Sequence, residues 1–273
     1  MNRQDWLAGN YHFEDEVAVI TGGAGGLGIV MAEALLAMGA KVAVLARTPA
    51  RASRLARSDR LLVLESDVLD TTVLEKNREQ INSELGEATV LVNVAGGNFP
   101  GAVTTPEQSF FELNPVEIHR VLSLNLEGTI FACQTFGRDM AKQGRGCIVN
   151  ISSMAADRPL TGVPAYSASK AAIDNFTAWL AVHMAMEYGA GIRVNAIAPG
   201  FFITELNRYL LIDRETGDYS PRGKNVVAHT PMGRMGEPEE LVGALLFLVS
   251  PSACFVTGIV IPVDGGFSAY AGV

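Results

Sequence analysis

A glycine-rich turn lies between the first predicted strand of this 273-residue chain and its first predicted helix. The strand Val17–Ile20 runs directly into Thr21-Gly22-Gly23-Ala24-Gly25-Gly26-Leu27-Gly28, and a helical pattern opens at Leu27. Glycines at this point let the chain turn tightly, let backbone N–H groups approach a pyrophosphate, and let the helix pack closely on the strand. The strand before the turn and the helix after it therefore favour a dinucleotide-binding turn over a flexible loop.

Short β-branched segments alternate with longer helical patterns along the chain, which is typical of βαβ units that build a parallel sheet covered on both faces. The predicted strands are Val17–Ile20, Val42–Leu45, Leu61–Leu64, Val90–Asn93, Cys147–Ile151, Val194–Ile197 and Ile259–Val263. The predicted helices are Leu27–Met38, Thr72–Leu85, Pro115–Ala141, Ala165–Tyr188 and Pro238–Leu248. No linker divides them, so the sequence predicts one domain over residues 1–273, a Rossmann-type doubly wound α/β fold with a seven-stranded parallel sheet.

The segment Glu205–Met232 interrupts this alternation because it carries no clean helical or strand period. Long irregular segments inside a compact domain are usually functional lids or binding loops. This one follows the sixth predicted strand, and ligands of doubly wound sheets bind outside the carboxyl ends of the strands. We therefore predict an irregular substrate lid over about residues 205–232.

Composition excludes several classes of function. The chain has 21 Lys and Arg against 29 Asp and Glu, a formal net charge of −8, which disfavours a nucleic-acid or anionic-membrane surface. Its three cysteines are far apart, which indicates buried free thiols rather than disulfides or a metal site. No stretch approaches the ~18 apolar residues of a membrane span, so we expect a cytoplasmic protein without membrane partners.

The end of the second predicted strand bears on which dinucleotide is bound. A carboxylate there binds the adenosine ribose hydroxyls, whereas its absence beside an arginine admits a 2′-phosphate. The chain reads Leu45-Ala46-Arg47-Thr48, so Arg47 favours NADP over NAD. In Ser66-Asp67-Val68, after the third strand, Asp67 could meet the adenine amino group or simply begin a turn, and both interpretations fit.

A tyrosine and a lysine stand four residues apart in the middle of the chain. Tyr166 and Lys170 would share one face of a helix. An ammonium group beside a phenol favours the phenolate, lowers the pKa of the phenol and makes it a usable acid or base. Ser153 ends the strand before that helix and could bring its hydroxyl beside the same phenol.

These features together resemble the classical short-chain dehydrogenase/reductase family over roughly residues 12–267. The matching motifs are Thr21-Gly22 with Gly26-Leu27-Gly28, Asn93-Val94-Ala95-Gly96, Asn125, Ser153, Tyr166 with Lys170, and Pro199-Gly200 followed by Thr204. Val94 departs from the small or amide residue more common at its position, which should cost little because the backbone of that turn makes the contacts.

The resemblance implies hydride transfer between a nicotinamide cofactor and a substrate alcohol or ketone. Tyr166 would exchange the proton on the substrate oxygen, and Ser153 would hold that oxygen. Lys170 would bind the nicotinamide ribose and lower the pKa of Tyr166, while Asn125 would hold a water that links Lys170 to solvent. These four residues are the predicted catalytic group, and no metal is expected.

The same resemblance completes the predicted cofactor contacts. Pro199-Gly200 and Thr204 would position the nicotinamide carboxamide, and Asn93–Gly96 would line the adenosine side. The full set of predicted cofactor contacts is Gly22, Gly26, Leu27, Gly28, Arg47, Asp67, Val68, Asn93, Ala95, Gly96, Tyr166, Lys170, Pro199, Gly200, Phe202 and Thr204.

Several shorter strings are similar to the sugar-acid branch of the family, the D-mannonate oxidoreductase (fructuronate reductase) type. They are Gly96-Gly97-Asn98-Phe99-Pro100, Arg158-Pro159-Leu160-Thr161, Ala198-Pro199-Gly200-Phe201-Phe202, Leu206-Asn207-Arg208, Arg222-Gly223 and Asp264-Gly265-Gly266-Phe267-Ser268-Ala269-Tyr270. This similarity implies D-mannonate or D-fructuronate as substrate.

A hexuronate presents one carboxylate and several hydroxyls, so it needs a charged donor and several hydrogen-bond partners. Arg158 lies between the predicted catalytic serine and tyrosine and is the first candidate for the carboxylate. Arg208 and Arg222 are alternatives, although a loop arginine is more often solvated or paired with a neighbouring acid. Asn98 and Asn207 could bind hydroxyls, but turn geometry alone would explain Asn98.

Two other functions remain open. One is reduction of a 3-oxoacyl thioester or another ketone by the same family chemistry, and the other is a dinucleotide-binding sensor without catalysis. The intact set of Asn125, Ser153, Tyr166 and Lys170 argues against the sensor. The family resemblance also implies a homotetramer, while the sequence itself shows only long apolar helices.

Overall fold

The fold is described from a computed structural model of residues 10–205 and 207–272. In that part of the chain, seven parallel strands form one sheet in the order β3-β2-β1-β4-β5-β6-β7. The strands are β1 Val17–Thr21, β2 Lys41–Ala46, β3 Leu61–Glu65, β4 Val90–Asn93, β5 Arg145–Ile151, β6 Gly191–Pro199 and β7 Val260–Val263. The predicted Rossmann-type α/β fold is confirmed. Residues 1–9, Leu206 and Val273, which the predicted domain includes, lie outside the described residues.

Helices cover both faces of the sheet. They are α1 Gly26–Ala37, α2 Thr71–Glu84, α3 Pro115–Leu122, α4 Gly128–Gln143, α5 Pro164–Glu187, α6 Arg208–Leu211, α7 Pro221–Ala228 and α8 Val242–Val249. Side chains alternate across β1, so Ala18 and Ile20 face the layer of α1 and α8, whereas Val17 and Val19 face the layer of α2, α4 and α5. Both layers are buried and apolar, which explains why the strands read as continuous hydrophobic segments.

The strand order reverses between β1 and β4, and this position defines where a ligand fits. Thr21 pairs with Leu45 on one side and with Asn93 on the other. Asn93 in turn pairs with Asn150 of β5. The glycine turn after β1 therefore opens at the carboxyl edge of the sheet, at the topological switch point where doubly wound folds bind ligands.

Strand ends differ from the predictions by at most three residues, the largest difference being the start of β6 at Gly191. The predicted helix Pro115–Ala141 is interrupted by a π-helical turn, Ser123–Glu127, between α3 and α4. The Asn125 amide donates to the Val121 carbonyl oxygen over 2.8 Å, and helical periodicity cannot reveal such a local bond. The predicted helix Pro238–Leu248 begins as a 3₁₀ turn, Pro238–Leu241, before α8.

The segment after β6 is more regular than predicted. It contains α6 and α7, joined by an antiparallel bridge between Ile212 and Tyr219. The Ser220 hydroxyl accepts from the Gly223 amide over 3.1 Å and caps α7. Leu211 and Val226 form a small apolar cluster that holds the two helices together. These helices are too short to show a period in the sequence.

The thiol prediction is correct for two of the three cysteines. Cys133 and Cys147 are buried and free, but Cys254 is free and exposed. Burial raises the pKa of Cys133 to about 12 and that of Cys147 to about 11, so both thiols are inert at neutral pH. In residues 10–205 and 207–272, no helix is long and apolar enough to cross a membrane.

A buried arginine ties β6 to the end of α8. The Arg193 guanidinium donates to the carbonyl oxygens of Leu248 over 2.6 Å, Val249 over 3.2 Å and Ser250 over 3.4 Å. Carbonyls at a helix C-terminus have no helical partners and favour a cation.

We expect Arg193→Met to lower the free energy of unfolding by about 2–3 kcal/mol, because it leaves these buried carbonyls unpaired. Urea unfolding would measure the loss, and Arg145→Met provides a control because Arg145 is half exposed and pairs with Glu16. That control should change stability by less than about 1 kcal/mol. Equal stabilities for the two variants would contradict the capping role.

Candidate functional site

A cleft of about 370 Å³ runs along the carboxyl edge of the sheet, from the end of β2 to the start of α5. Its lining includes most of the predicted cofactor contacts. Those found in it are Gly22, Gly26, Leu27, Gly28, Arg47, Asp67, Val68, Ala95, Gly96, Tyr166, Lys170, Pro199, Gly200, Phe202 and Thr204. The cleft therefore brings the glycine turn and the Tyr–Lys pair, about 140 residues apart, into one continuous site.

Two glycines of the turn after β1 leave no room for side chains. Gly22 has φ +65°, and a Cβ there would lie 2.7 Å from the Ala95 amide nitrogen. A Cβ on Gly28 would lie 2.6 Å from the Gly22 carbonyl oxygen. Both distances are shorter than real Cβ contacts, so Gly22 and Gly28 can only be glycine. The first N–H groups of α1, which have no helical partners, lie at this turn and suit a pyrophosphate, and the residues present thus fit a dinucleotide.

The end of β2 presents basic side chains to the cleft. Arg47, Thr48 and Arg51 line it, and β2 ends without a carboxylate. Arg51 was missed by sequence reasoning; it lies on a 3₁₀ turn, Pro49–Arg54, four residues after Arg47. Asp67 also lines the cleft while its carboxylate accepts from the Leu69 amide over 3.0 Å, so the structure shows a turn at this residue as well as access to the cleft.

Three of the predicted catalytic side chains meet at the opposite end of the cleft. Ser153 follows β5, whereas Tyr166 and Lys170 lie one turn apart at the start of α5. Ser153 Oγ accepts from the Ala155 amide over 3.1 Å, which fixes the hydroxyl at the end of the strand. A hydrogen bond with Ser153 lowers the pKa of Tyr166, but burial raises it more, and the pKa lies above its ordinary value of 10.

Lys170 lies over the Tyr166 ring, and burial outweighs the effects that would lower the pKa of this phenol. Lys170 Nζ lies 5.7 Å from the centre of the Tyr166 ring and donates to the Ile151 carbonyl oxygen over 2.7 Å. Lys170 is only 5% exposed, and burial lowers its pKa to about 8 while Asp174 acts to raise it. Lys170 therefore loses its proton just above neutral pH.

Asn125 is fully buried beside the cleft rather than in its lining. Its side-chain oxygen accepts from the Gly97 amide over 3.1 Å, and its side-chain nitrogen donates to the Gly97 carbonyl oxygen over 2.8 Å. A Cβ on Gly96 would lie 2.7 Å from the same side-chain oxygen and 3.4 Å from Lys170 Nζ. Asn125 therefore fixes the Gly96-Gly97 turn against Lys170.

Asn93 also lies beneath the cleft, in a buried polar chain that crosses the sheet. Its amide oxygen accepts from Thr21 over 3.4 Å, and its nitrogen donates to Asn150 over 2.9 Å. Asn150 donates onward to Thr177 of α5 over 2.9 Å. The chain links the glycine turn to the Tyr–Lys helix. Asn150 and Thr177 were missed; the signal available was an asparagine near the end of each of two adjacent strands.

The predicted substrate residues are scattered. Arg158 is exposed outside the cleft lining; it donates to the Ser268 carbonyl oxygen over 3.0 Å and pairs with Asp157 over 3.4 Å. Arg208 and Arg222 are also exposed and outside the lining. Their substrate roles remain predictions.

The two predicted asparagines make local bonds. Asn98 accepts from the Phe99 amide over 3.0 Å, as turn geometry predicts. Asn207 does line the cleft, but its side-chain oxygen accepts from the Thr204 amide over 2.8 Å and its side-chain nitrogen donates to the Phe202 carbonyl oxygen over 2.7 Å. Asn207 thereby holds the chain segment that follows Pro199-Gly200.

Comparison with known proteins adds to this geometry. A profile of the short chain dehydrogenase family matches residues 16–215. A Bacillus subtilis protein named uncharacterized oxidoreductase UxuB is 45% identical over 272 residues, which cover 94% of this chain and 96% of that protein.

Two solved structures are similar over nearly the whole chain. A Haemophilus influenzae protein proposed as a D-mannonate oxidoreductase, with bound NAD, has a TM-score of 0.89 and 41% identity and covers 98% of this chain and 100% of its own. A Burkholderia cenocepacia gluconate 5-dehydrogenase in complex with NADP and tartrate has a TM-score of 0.83 and 29% identity, with 96% and 98% covered.

The chain belongs to the classical short-chain dehydrogenase/reductase family, as its motifs predicted. It is an NAD(P)-dependent oxidoreductase that acts on a small molecule. In the described part of the chain, no group of three or more His, Cys, Asp or Glu side chains could hold a metal ion.

Proposed function

We propose that this enzyme transfers a hydride between NADP and a hydroxyl or keto group of a sugar acid, with D-mannonate and D-fructuronate as the pair. The observation that carries the chemistry is the convergence of Ser153, Tyr166 and Lys170 at one end of a cleft whose other end is the glycine turn. The sugar-acid assignment is supported by the H. influenzae and B. cenocepacia proteins described above.

Bound NADPH would supply the hydride in reduction, and bound NADP+ would accept it in oxidation. The glycine turn and the start of α1 would hold the pyrophosphate, while Lys170 would hold the nicotinamide ribose. Pro199, Gly200 and Thr204, which line the same cleft, would orient the nicotinamide carboxamide.

Proton transfer falls to the side chains at the catalytic end. In reduction, Ser153 donates a hydrogen bond to the substrate oxygen and the Tyr166 hydroxyl gives its proton to that oxygen. The raised pKa of Tyr166 keeps the phenol protonated at neutral pH, which is the form that reduction needs. The ammonium of Lys170 then stabilises the phenolate, and oxidation runs these steps in reverse.

The preference for NADP is supported by Arg47 and Arg51 at the end of β2. A guanidinium binds a phosphate through charge-assisted hydrogen bonds that a ribose hydroxyl cannot match. Arg47→Ala should therefore weaken NADPH binding about tenfold and leave NADH binding within about twofold. Fluorescence titration would measure both affinities, with exposed Arg57, which lies outside the cleft lining, changed to Ala as control. An unchanged NADPH affinity in Arg47→Ala would defeat this assignment.

The substrate class is tested by initial rates with a panel of ketones under NADPH. We expect D-fructuronate to exceed simple keto sugars and a 3-oxoacyl thioester by at least about tenfold in kcat/KM, because a charged donor discriminates in favour of a carboxylate. Arg158→Ala should remove that margin while leaving simple ketones unaffected. A preference for the thioester or for an uncharged ketone would overturn the sugar-acid assignment in favour of the alternative.

Assembly and closure complete the proposal. The outer face of α5 exposes Trp179, which is 57% exposed, Val182, at 59%, and Met186, at 76%. Such an apolar stripe is unusual on a monomer, and we propose that it is buried in a homotetramer.

We also propose that residues 205–232 act as the substrate lid. The enzyme is further proposed to work in the cytoplasm, where its free thiols stay reduced.

A further inference from the structure

A third ionisable side chain continues the Tyr–Lys row on α5. Tyr166, Lys170 and Asp174 are spaced four residues apart on this helix, so each lies one turn beyond the last on the same face. Asp174 is partly buried, and its Oδ1 atom is inaccessible to solvent and has no hydrogen-bond partner. An ordinary surface acid at this spacing would keep both oxygens solvated, so this carboxylate needs another source of stabilisation.

Ser152 joins the carboxylate to the end of β5. Its amide donates to the Ile197 carbonyl oxygen over 2.8 Å, which anchors it in the sheet directly before Ser153. Its hydroxyl donates to the Lys170 carbonyl oxygen over 3.4 Å, and the nearby Ser152 side chain lowers the pKa of Asp174. Asp174 therefore meets both elements that carry the catalytic side chains.

Burial and a few charged groups shift the pKa values of Lys170 and Asp174. Burial raises the pKa of Asp174, Lys170 lowers it, and Asp157, from the loop after β5, raises it. Burial lowers the pKa of Lys170, and Asp174 is the charged group that opposes this effect. The Tyr166 ring also faces Lys170, at 5.7 Å from Nζ to the ring centre.

We infer that Asp174 is a positioning residue that keeps the Lys170 ammonium charged at the catalytic end of the cleft and so sets the upper pH limit of the reaction. The inference rests on the proposed roles of Lys170 and Tyr166. Removing the negative charge would let Lys170 lose its proton at lower pH, which removes the ammonium that binds the ribose and stabilises the phenolate.

Asp174→Asn tests this with two readouts, the dissociation constant for NADPH and kcat/KM for ketone reduction, each measured from pH 6 to pH 10. In the wild type, both should deteriorate as Lys170 deprotonates. In Asp174→Asn, the midpoint of that loss should move to lower pH by about one unit. Glu187→Gln removes the same charge from an exposed site on the same helix and should leave the midpoint unchanged.

A uniform loss of affinity or rate at every pH, with the midpoint unmoved, would show a merely structural role and overturn the inference. Asp174→Glu should restore the wild-type midpoint, and failure to do so also counts against it. If Asp174→Asn does not fold, Asp174→Ser carries the same comparison. The measurement of NADPH affinity needs no substrate. If Lys170→Met keeps the wild-type pH dependence of NADPH binding, the proposed role of Lys170 itself is wrong. If only Asp174→Asn leaves the midpoint unmoved, the role of Lys170 stands and the inference about Asp174 is wrong.

Discussion

Tyr166→Phe is expected to reduce turnover by at least about 10³-fold while NADPH affinity stays within about threefold of the wild type. The substitution removes one hydroxyl, and with it the proton that reduction needs on the substrate oxygen. The glycine turn and the end of β2, which would bind most of the dinucleotide, lie at the other end of the cleft. Steady-state rates and fluorescence titration separate the two effects.

Tyr188→Phe supplies the matched control, because Tyr188 follows the C-terminal end of α5 and is 48% exposed. This variant should keep wild-type turnover. If Tyr166→Phe kept full activity, Tyr166 could not be the acid, and the proton would have to come from another group at this end of the cleft.

Lys170→Met should act in opposite directions on activity and on stability. Turnover should fall by about 10²-fold or more, since the phenolate loses its ammonium. The free energy of unfolding at pH 7 should rise by about 1–3 kcal/mol, because the folded state no longer buries a charge. Part of the gain is offset by the unpaired Ile151 carbonyl, which now accepts from Lys170 over 2.7 Å.

The pH dependence of this stability gain has a definite sign. The pKa of Lys170 is about 8 in the folded state against an ordinary value of 10.5, so between these values the unfolded state binds more protons. The free energy of unfolding of the wild type therefore rises as pH increases from about 8 towards 10.5. Below about pH 8, the buried charge of Lys170 lowers this free energy by its full amount. The advantage of Lys170→Met should be largest at pH 7 and shrink above pH 8. A constant advantage across this range, measured by urea unfolding, would contradict the buried charge.

The sheet and the meeting of Ser153, Tyr166 and Lys170 in one cleft could be predicted from the sequence for identifiable reasons. Strands buried on both faces read as continuous apolar segments, and the spacing of Tyr166 and Lys170 has meaning as soon as a helix is assumed. The glycine turn was recognisable because a tight turn, backbone approach to a pyrophosphate and close packing of the helix on the strand all favour glycine at neighbouring positions. Each of these signals is local, so no knowledge of tertiary contacts was needed.

What the sequence could not show depends on distant contacts. Arg158 lies near the catalytic residues in the chain, yet its side chain turns to Ser268, more than a hundred residues away. Asn125 gave no sign that its amide would hold Gly97. Nothing in the sequence marks Asp174, because only the fold reveals that one of its oxygens is enclosed. The raised pKa of Tyr166 could not be predicted, because burial, which opposes ionisation, has no single-residue signal.

The most direct test of the account follows the hydride itself. NADPH carrying deuterium at the transferable position of its nicotinamide would be incubated with D-fructuronate, and the product analysed by mass spectrometry and NMR. We predict D-mannonate with one deuterium on the new carbinol carbon, formed by the wild type and not by Tyr166→Phe. A product without deuterium, or no reduction of D-fructuronate while another ketone is labelled, would contradict direct hydride transfer to a sugar acid in this cleft.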